Sequence, residues 1–115
     1  MIKTINVREF STKLVNRNKL QGDGLNTAIE FRETYLQDLM KKDWWDNPKN
    51  TIILDFSGVQ KMSPSFADEA FGYFTQFATP DKVRSQIQFE NLSKVQEMIL
   101  DMELTDAYRS VRKNA

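Results

Sequence analysis

The spacing of hydrophobic residues changes near the middle of the chain, and the change predicts a strand followed by a helix. Residues 51–56 form a continuous apolar and β-branched run around one charge, Asp55, which is typical of a strand covered on both faces in a parallel sheet. Over residues 66–78 the apolar positions instead recur at helical spacing. Ser63 followed by Pro64 is a preferred helix start, because the serine caps a backbone N–H and proline lacks an N–H that would be unpaired there.

The rest of the chain repeats this alternation of strands and helices. We predict a first strand over residues 2–7, a helix over residues 25–41 and a strand over residues 86–89, with a turn at residues 79–81. Residues 11–23 give no clear pattern. Such alternation implies an α/β fold with a small parallel or mixed sheet, and we expect about four strands with helices mainly on one face.

The last helix has a clear start and an apolar stripe. Ser93 and Gln96 have the spacing of a capping box, in which each residue caps a backbone N–H of the other. The apolar residues that follow at helical spacing are Val95, Met98, Ile99 and Met102.

Two adjacent tryptophans, Trp44 and Trp45, lie in a turn-rich connection before the central strand. Neighbouring side chains on such a segment cannot easily face the same way. Either one caps the core while the other is exposed to a partner, or both pack locally.

Composition excludes several kinds of chemistry. The chain has 115 residues, which suits one domain over residues 1–115, and it contains no Cys and no His. Disulfides, thiolate nucleophiles, Cys/His zinc sites and imidazole bases are therefore excluded. No apolar run approaches the roughly 20 residues of a membrane span. We therefore predict a cytoplasmic protein that is not an enzyme, has no cofactor or metal site and does not bind a membrane.

Charge argues against nucleic acid as a partner. The chain has 16 Lys and Arg and 16 Asp and Glu, so its formal net charge is zero. Without a net positive field, no long-range attraction to nucleic acid or to an anionic membrane is expected. The basic residues concentrated in the first twenty positions are typical of a solvated edge, although they would also suit an acidic partner.

The central strand, turn and helix resemble those of a known family. Residues 54–67, LDFSGVQKMSPSFA, resemble the STAS family, the fold of anti-sigma factor antagonists and of sulfate-transporter cytoplasmic domains. Residues 62–72, MSPSFADEAFG, together with residues 23–24 and 31–32, look more narrowly like the STAS-like domain of unknown function found in bacterial and phage proteins. The resemblance implies a regulatory domain that binds a protein, such as an ATPase or a kinase-like regulator.

The residues that match this motif form the predicted docking surface, residues 63–72. Its candidate partner-binding residues are Ser63, Pro64, Ser65, Asp68, Glu69 and Gly72.

Phosphorylation is the switch that the resemblance implies for this surface. The phosphoacceptor position of the antagonists aligns with Pro64, which has no hydroxyl, so the candidate phosphoacceptors are Ser63 and Ser65. A phosphate on Ser65 would crowd Asp68 and Glu69, which would oppose docking. Helix capping is the structural alternative for both serines, and Ser65 with Asp68 also has capping-box spacing.

An alternative function is a small nucleotide- or anion-binding domain, or an enzyme. It would use the loop around Gly22 and Gly24, the cation of Arg32 and the helix start over residues 63–65. The loop lacks a complete phosphate-binding fingerprint, so ordinary turn chemistry also explains it. Asp55 has two readings as well: a functional carboxylate, or an acceptor of hydrogen bonds from the turn that follows it.

Overall fold

The computed structural model describes residues 2–17 and 26–113. Its strands are β1 (Ile2–Asn6), β2 (Lys13–Leu14), β3 (Thr51–Asp55), β4 (Lys61–Met62) and β5 (Ile87–Glu90). Its α-helices are α1 (Ala28–Tyr35), α2 (Lys42–Asp46), α3 (Pro64–Ala70), α4 (Pro80–Gln86) and α5 (Lys94–Lys113). Short 3₁₀ helices cover Val7–Glu9, Gln37–Met40 and Gly72–Gln76. None of the described helices is long and apolar enough to cross a membrane.

The strands form two parallel sheets. The larger sheet has the order β1-β3-β5, and β2 pairs with β4 in a second sheet of two strands. The predicted α/β class with a small parallel sheet is therefore confirmed, with the strands divided three and two. Sequence patterns missed β2 and β4, because two residues are too few to show a period.

Burial alternates along the central strand. Ile52 and Leu54 are buried, whereas Ile53 between them is only half-buried. In register with Ile53 are Thr4 and Gln88, which are both exposed. The prediction of a strand covered on both faces was wrong. The alternation instead fits the prediction that the helices lie mainly on one face of the sheet.

The predicted start of the central helix is confirmed. Ser63 is the N-cap of α3: its Oγ accepts a hydrogen bond from the backbone N–H of Phe66 at 3.1 Å, and Pro64 is the first helical residue. The helix is shorter than the predicted 66–78, because it ends at Ala70 and continues as the 3₁₀ helix Gly72–Gln76.

Two other predicted boundaries were also wrong. The helix expected over residues 25–41 is broken after Tyr35, where Leu36 leaves the helical region with φ −119° and ψ 23°. The turn expected at residues 79–81 is instead the start of α4, with Thr79 as N-cap and Pro80 as its first residue. The same serine-or-threonine and proline signal thus begins both α3 and α4.

Aromatic rings fill much of the core. Phe71 lies 5.0 Å from Phe89 and 6.0 Å from Phe31, measured between ring centroids. Trp45 is fully buried and donates its Nε1–H to the carbonyl of Leu39, while half-buried Trp44 packs edge-on against it at 4.8 Å. Both tryptophans therefore pack locally, as one of the two interpretations expected.

The start of α5 matches the prediction, but its predicted stripe faces outward. Ser93 and Gln96 cap each other at 2.9 and 3.1 Å. The side buried against the protein carries Gln96, Leu100 and Leu104. Most of the predicted stripe is exposed: Val95 by 65%, Met98 by 69% and Met102 by 53%.

Candidate functional site

The start of α3 presents two serines in different surroundings. The Ser63 hydroxyl accepts from Phe66 and donates to the carbonyl of Val15 at 3.1 Å, so it is occupied within the protein. Pro64 and Ser65 are exposed. The cap is therefore Ser63 and not Ser65, and of the two candidate phosphoacceptors Ser65 has the accessible hydroxyl.

The two carboxylates of the docking surface are held by arginines from distant parts of the chain. Arg17 Nη1 lies 2.9 Å from Asp68 Oδ2 and 3.8 Å from Glu69 Oε1, and Arg32 Nη1 lies 3.0 Å from Glu69 Oε2. Arg32 also donates to the backbone carbonyl of Glu69. These four residues form what we name the arginine–carboxylate cluster.

Arg32 occupies the interior side of this cluster. It is 8% exposed, and its guanidinium stacks on the ring of Tyr73 at 3.9 Å. A buried cation needs such compensation, because it has lost its hydration. The guanidinium predicted to bind an anion is thus already engaged with Glu69. Gly22 and Gly24, the loop residues of that prediction, lie outside the described residues.

Gly72 is buried at the start of the 3₁₀ helix that follows α3, where α5 packs against it. A Cβ at this position would come within 3.0 Å of both Ala107 Cβ and Asp68 Oδ1. The absence of a side chain therefore allows α5 to approach α3, and the buried backbone of Gly72 offers little for a partner to contact.

A shallow cleft of about 430 Å³ lies beside the cluster, between the 3₁₀ helix Gly72–Gln76 and α5. Arg17, Asp68 and Glu69 line one side of it, and Ser110 and Val111 belong to the α5 side.

Sequence reasoning missed Glu103, whose electrostatics are linked to the docking surface. Burial raises the pKa of Glu103, and the nearby negative charges of Asp68 and Asp106 raise it further, while Arg17 acts in the opposite direction. No local pattern indicates the electrostatic effect of Asp68 on Glu103, because the two residues are far apart in sequence.

Asp55 serves the turn after β3. Its Oδ1 accepts from the Asn91 side chain and from the Ser57 backbone N–H, both at 2.9 Å. The Asn91 bond, followed by those from Ser57, lowers the pKa of Asp55. This is the hydrogen-bonding role that was one of its two interpretations.

Metal ligands do not cluster in the described ranges: no group of three or more Asp or Glu residues there could hold a metal ion. The start of α3 thus consists of two exposed residues, Pro64 and Ser65, beside the arginine–carboxylate cluster, whose charges are paired with each other.

Comparison with known families supports the assignment of the fold. A family model described as a STAS-like domain of unknown function matches residues 27–97, which include β3, the start of α3 and β5. Searches of curated proteins and of solved structures gave no significant match. The matched segment covers more than half of the chain and contains the motif on which the docking surface is built. The chain therefore belongs to the family of STAS-like domains of unknown function.

Proposed function

We propose that the protein is a non-enzymatic regulatory domain that binds a protein partner through the docking surface. The observation that supports this most is the exposed pair Pro64 and Ser65 in the first turn of α3. The two hydrogen bonds of the Ser63 hydroxyl, one within the helix and one to Val15, hold this turn in place. An exposed segment that is already ordered loses little conformational entropy on binding. Family membership supports the same class of function, because the STAS resemblance implies protein docking at this strand-turn-helix.

Charge would supply the specificity of this surface. The side chains of Asp68 and Glu69 are 35% and 23% exposed, although both are ion-paired. Charges at the rim of an interface mainly set association rate and partner choice. We propose an ATPase or a kinase-like regulator as the class of partner, and the cytoplasm as the place of binding.

Ser65 is the proposed control point. A phosphate there would add nearly two negative charges close to Asp68 and Glu69, and the repulsion would disfavour docking. Ser63 is less suitable, because a phosphate on its hydroxyl would remove the proton that it donates to the carbonyl of Val15.

The anion-binding alternative has less support from the geometry, because Arg32 is paired with Glu69. A nucleotide and phosphate panel in a thermal shift assay tests it directly. A ligand that raises the melting temperature of the wild type but not of Arg32→Gln would favour the alternative over docking.

A pull-down with a matched control tests the docking proposal. Ser65→Asp is compared with Ser85→Asp, which adds the same charge at an exposed position on α4. We expect a partner that wild type and Ser85→Asp recover equally, with recovery by Ser65→Asp about tenfold lower because of the added charge. Equal recovery by all three baits would contradict the proposal.

A further inference from the structure

The outward face of α5 carries three apolar side chains in one line. Val95, Met98 and Met102 are 65%, 69% and 53% exposed and follow the spacing i, i+3 and i+7. Residues at this spacing share one face of a helix. Single exposed hydrophobic residues are ordinary on protein surfaces, whereas an aligned group indicates an interaction site.

The fold does not need this stripe. The side of α5 that packs on the protein is formed by Gln96, Leu100 and Leu104, which are at most 4% exposed. Met98 and Met102 also lie beyond residues 27–97, the segment that the family model matches. Two of the three stripe residues thus lie outside the family match, while Val95 lies within it.

The same face becomes basic toward the C-terminus. Arg109 is seven residues after Met102, so it extends the line of the stripe, and exposed Arg112 lies one turn further. On the flank of the stripe, Glu97 and Asp101 are each 2.5 Å from a nitrogen of Arg84, which offsets one of their two charges. Exposed Asp106 comes four residues after Met102, so it lies at the edge of the same face. The face therefore combines an apolar first half with a second half in which two arginines outnumber one aspartate.

A second copy of the chain fits this face poorly. Side by side in parallel, two α5 helices would place Arg109 against Arg109. In the antiparallel arrangement only the apolar half would overlap.

A longer helix from another protein could cover both halves. From Val95 to Arg112 the face runs about 27 Å at 1.5 Å per residue. We propose that this face binds an amphipathic helix of a partner protein, with apolar residues against Val95, Met98 and Met102 and with Asp or Glu residues against Arg109 and Arg112. Methionine suits such a surface, because its flexible side chain adapts to the partner helix.

The test uses designed peptides and methionine methyl NMR. The probe is a helical peptide of about 18 residues with leucines along one face and glutamates at one end. One control peptide replaces the glutamates by lysines, and a second has the same composition without the leucine stripe. We expect the glutamate peptide to shift the Met98 and Met102 methyl signals saturably while those of Met40 and Met62 stay in place. Affinity should fall with added salt and be about tenfold weaker for the lysine peptide.

Variants keep the result interpretable. Met98→Gln/Met102→Gln should abolish peptide binding with unchanged circular dichroism and melting temperature, because both side chains are exposed. Val111→Gln, which changes an exposed apolar residue off the stripe, should bind as the wild type does. Ser65→Asp should also bind normally, which separates this face from the docking surface.

Three results would overturn the proposal. The first is an absence of shifts at Met98 and Met102, and the second is equal binding of all three peptides. The third is a concentration-dependent shift of these two signals without peptide, since it would assign the stripe to a second copy of the chain.

Discussion

At the scale of single residues, the two serines that flank Pro64 differ in their burial and in their hydrogen bonds. The Ser63 hydroxyl caps α3 by accepting from Phe66, and it holds the start of the helix to the segment after β2 by donating to Val15. Ser65 is exposed. A signaling role for Ser65 would therefore be compatible with a structural role for Ser63.

This difference predicts the stability of two alanine variants. Ser63→Ala removes the cap and leaves the Val15 carbonyl without its donor, so we expect a loss of about 1–3 kcal/mol in the free energy of unfolding. Ser65→Ala should change it by no more than about 0.5 kcal/mol. Urea denaturation of both variants checks the prediction, and equal losses would show that the cap has been assigned to the wrong serine.

Glu103 gives a prediction about pH. Its pKa is raised by burial and by Asp68 and Asp106, so the folded state holds the proton more tightly than the unfolded state does. The stability gained from protonation is therefore present below the ordinary value of 4.5 and is lost as pH rises through the folded pKa. Glu103→Gln should unfold at higher urea than the wild type near neutral pH, and this advantage should vanish below pH 4.5.

The control for this experiment is Glu33→Gln, at an exposed position on α1. It should show no such pH-dependent advantage. Lower stability of Glu103→Gln near neutral pH would contradict the electrostatic account, because it would mean that the charged form is favoured in the folded protein.

At the scale of elements, the contact between the end of α3 and α5 depends on Gly72. A methyl group there would meet Ala107 and Asp68 at 3.0 Å. We expect Gly72→Ala to lower the free energy of unfolding by about 1–3 kcal/mol through overpacking. Gly72→Ala/Ala107→Gly should recover part of that loss by giving back the space. A fully neutral single variant would mean that the two elements can separate at no cost.

Sequence reasoning worked best where a local rule decides the outcome. The cap at Ser63, the capping box at Ser93 and the central strand are each fixed by neighbouring residues, and all were predicted. The same cap rule explains the start of α4 at Thr79, although the sequence pattern there predicts a turn.

The predictions that failed concern features that depend on tertiary packing. In α5, two apolar lines compete for the buried side, and Leu100 and Leu104 occupy it in place of Met98 and Met102. The arginine–carboxylate cluster joins residues 37 and 51 positions apart, which no local spacing reveals. The candidate site at the start of α3 therefore stays a prediction, and the ion-pair partners of its carboxylates were not foreseen.

At the scale of the whole molecule, the two proposed interaction surfaces differ in position relative to the family match. The start of α3 lies within residues 27–97, the part that matches the family, whereas most of the outward face of α5 lies beyond it. Docking at α3 would therefore involve the matched segment, and the α5 face would add a second contact mostly outside it. The two surfaces can be altered separately, because neither Ser65 nor Met98 is buried.

Docking at the start of α3 is the central claim, and amide hydrogen exchange of the complex tests it most directly. With the partner recovered in the pull-down, the protein is compared free and bound. We predict that exchange slows most at residues 63–70 and that Ser65→Asp removes this protection while Ser85→Asp keeps it. Protection confined to other segments, with residues 63–70 exchanging as in the free protein, would contradict the claim.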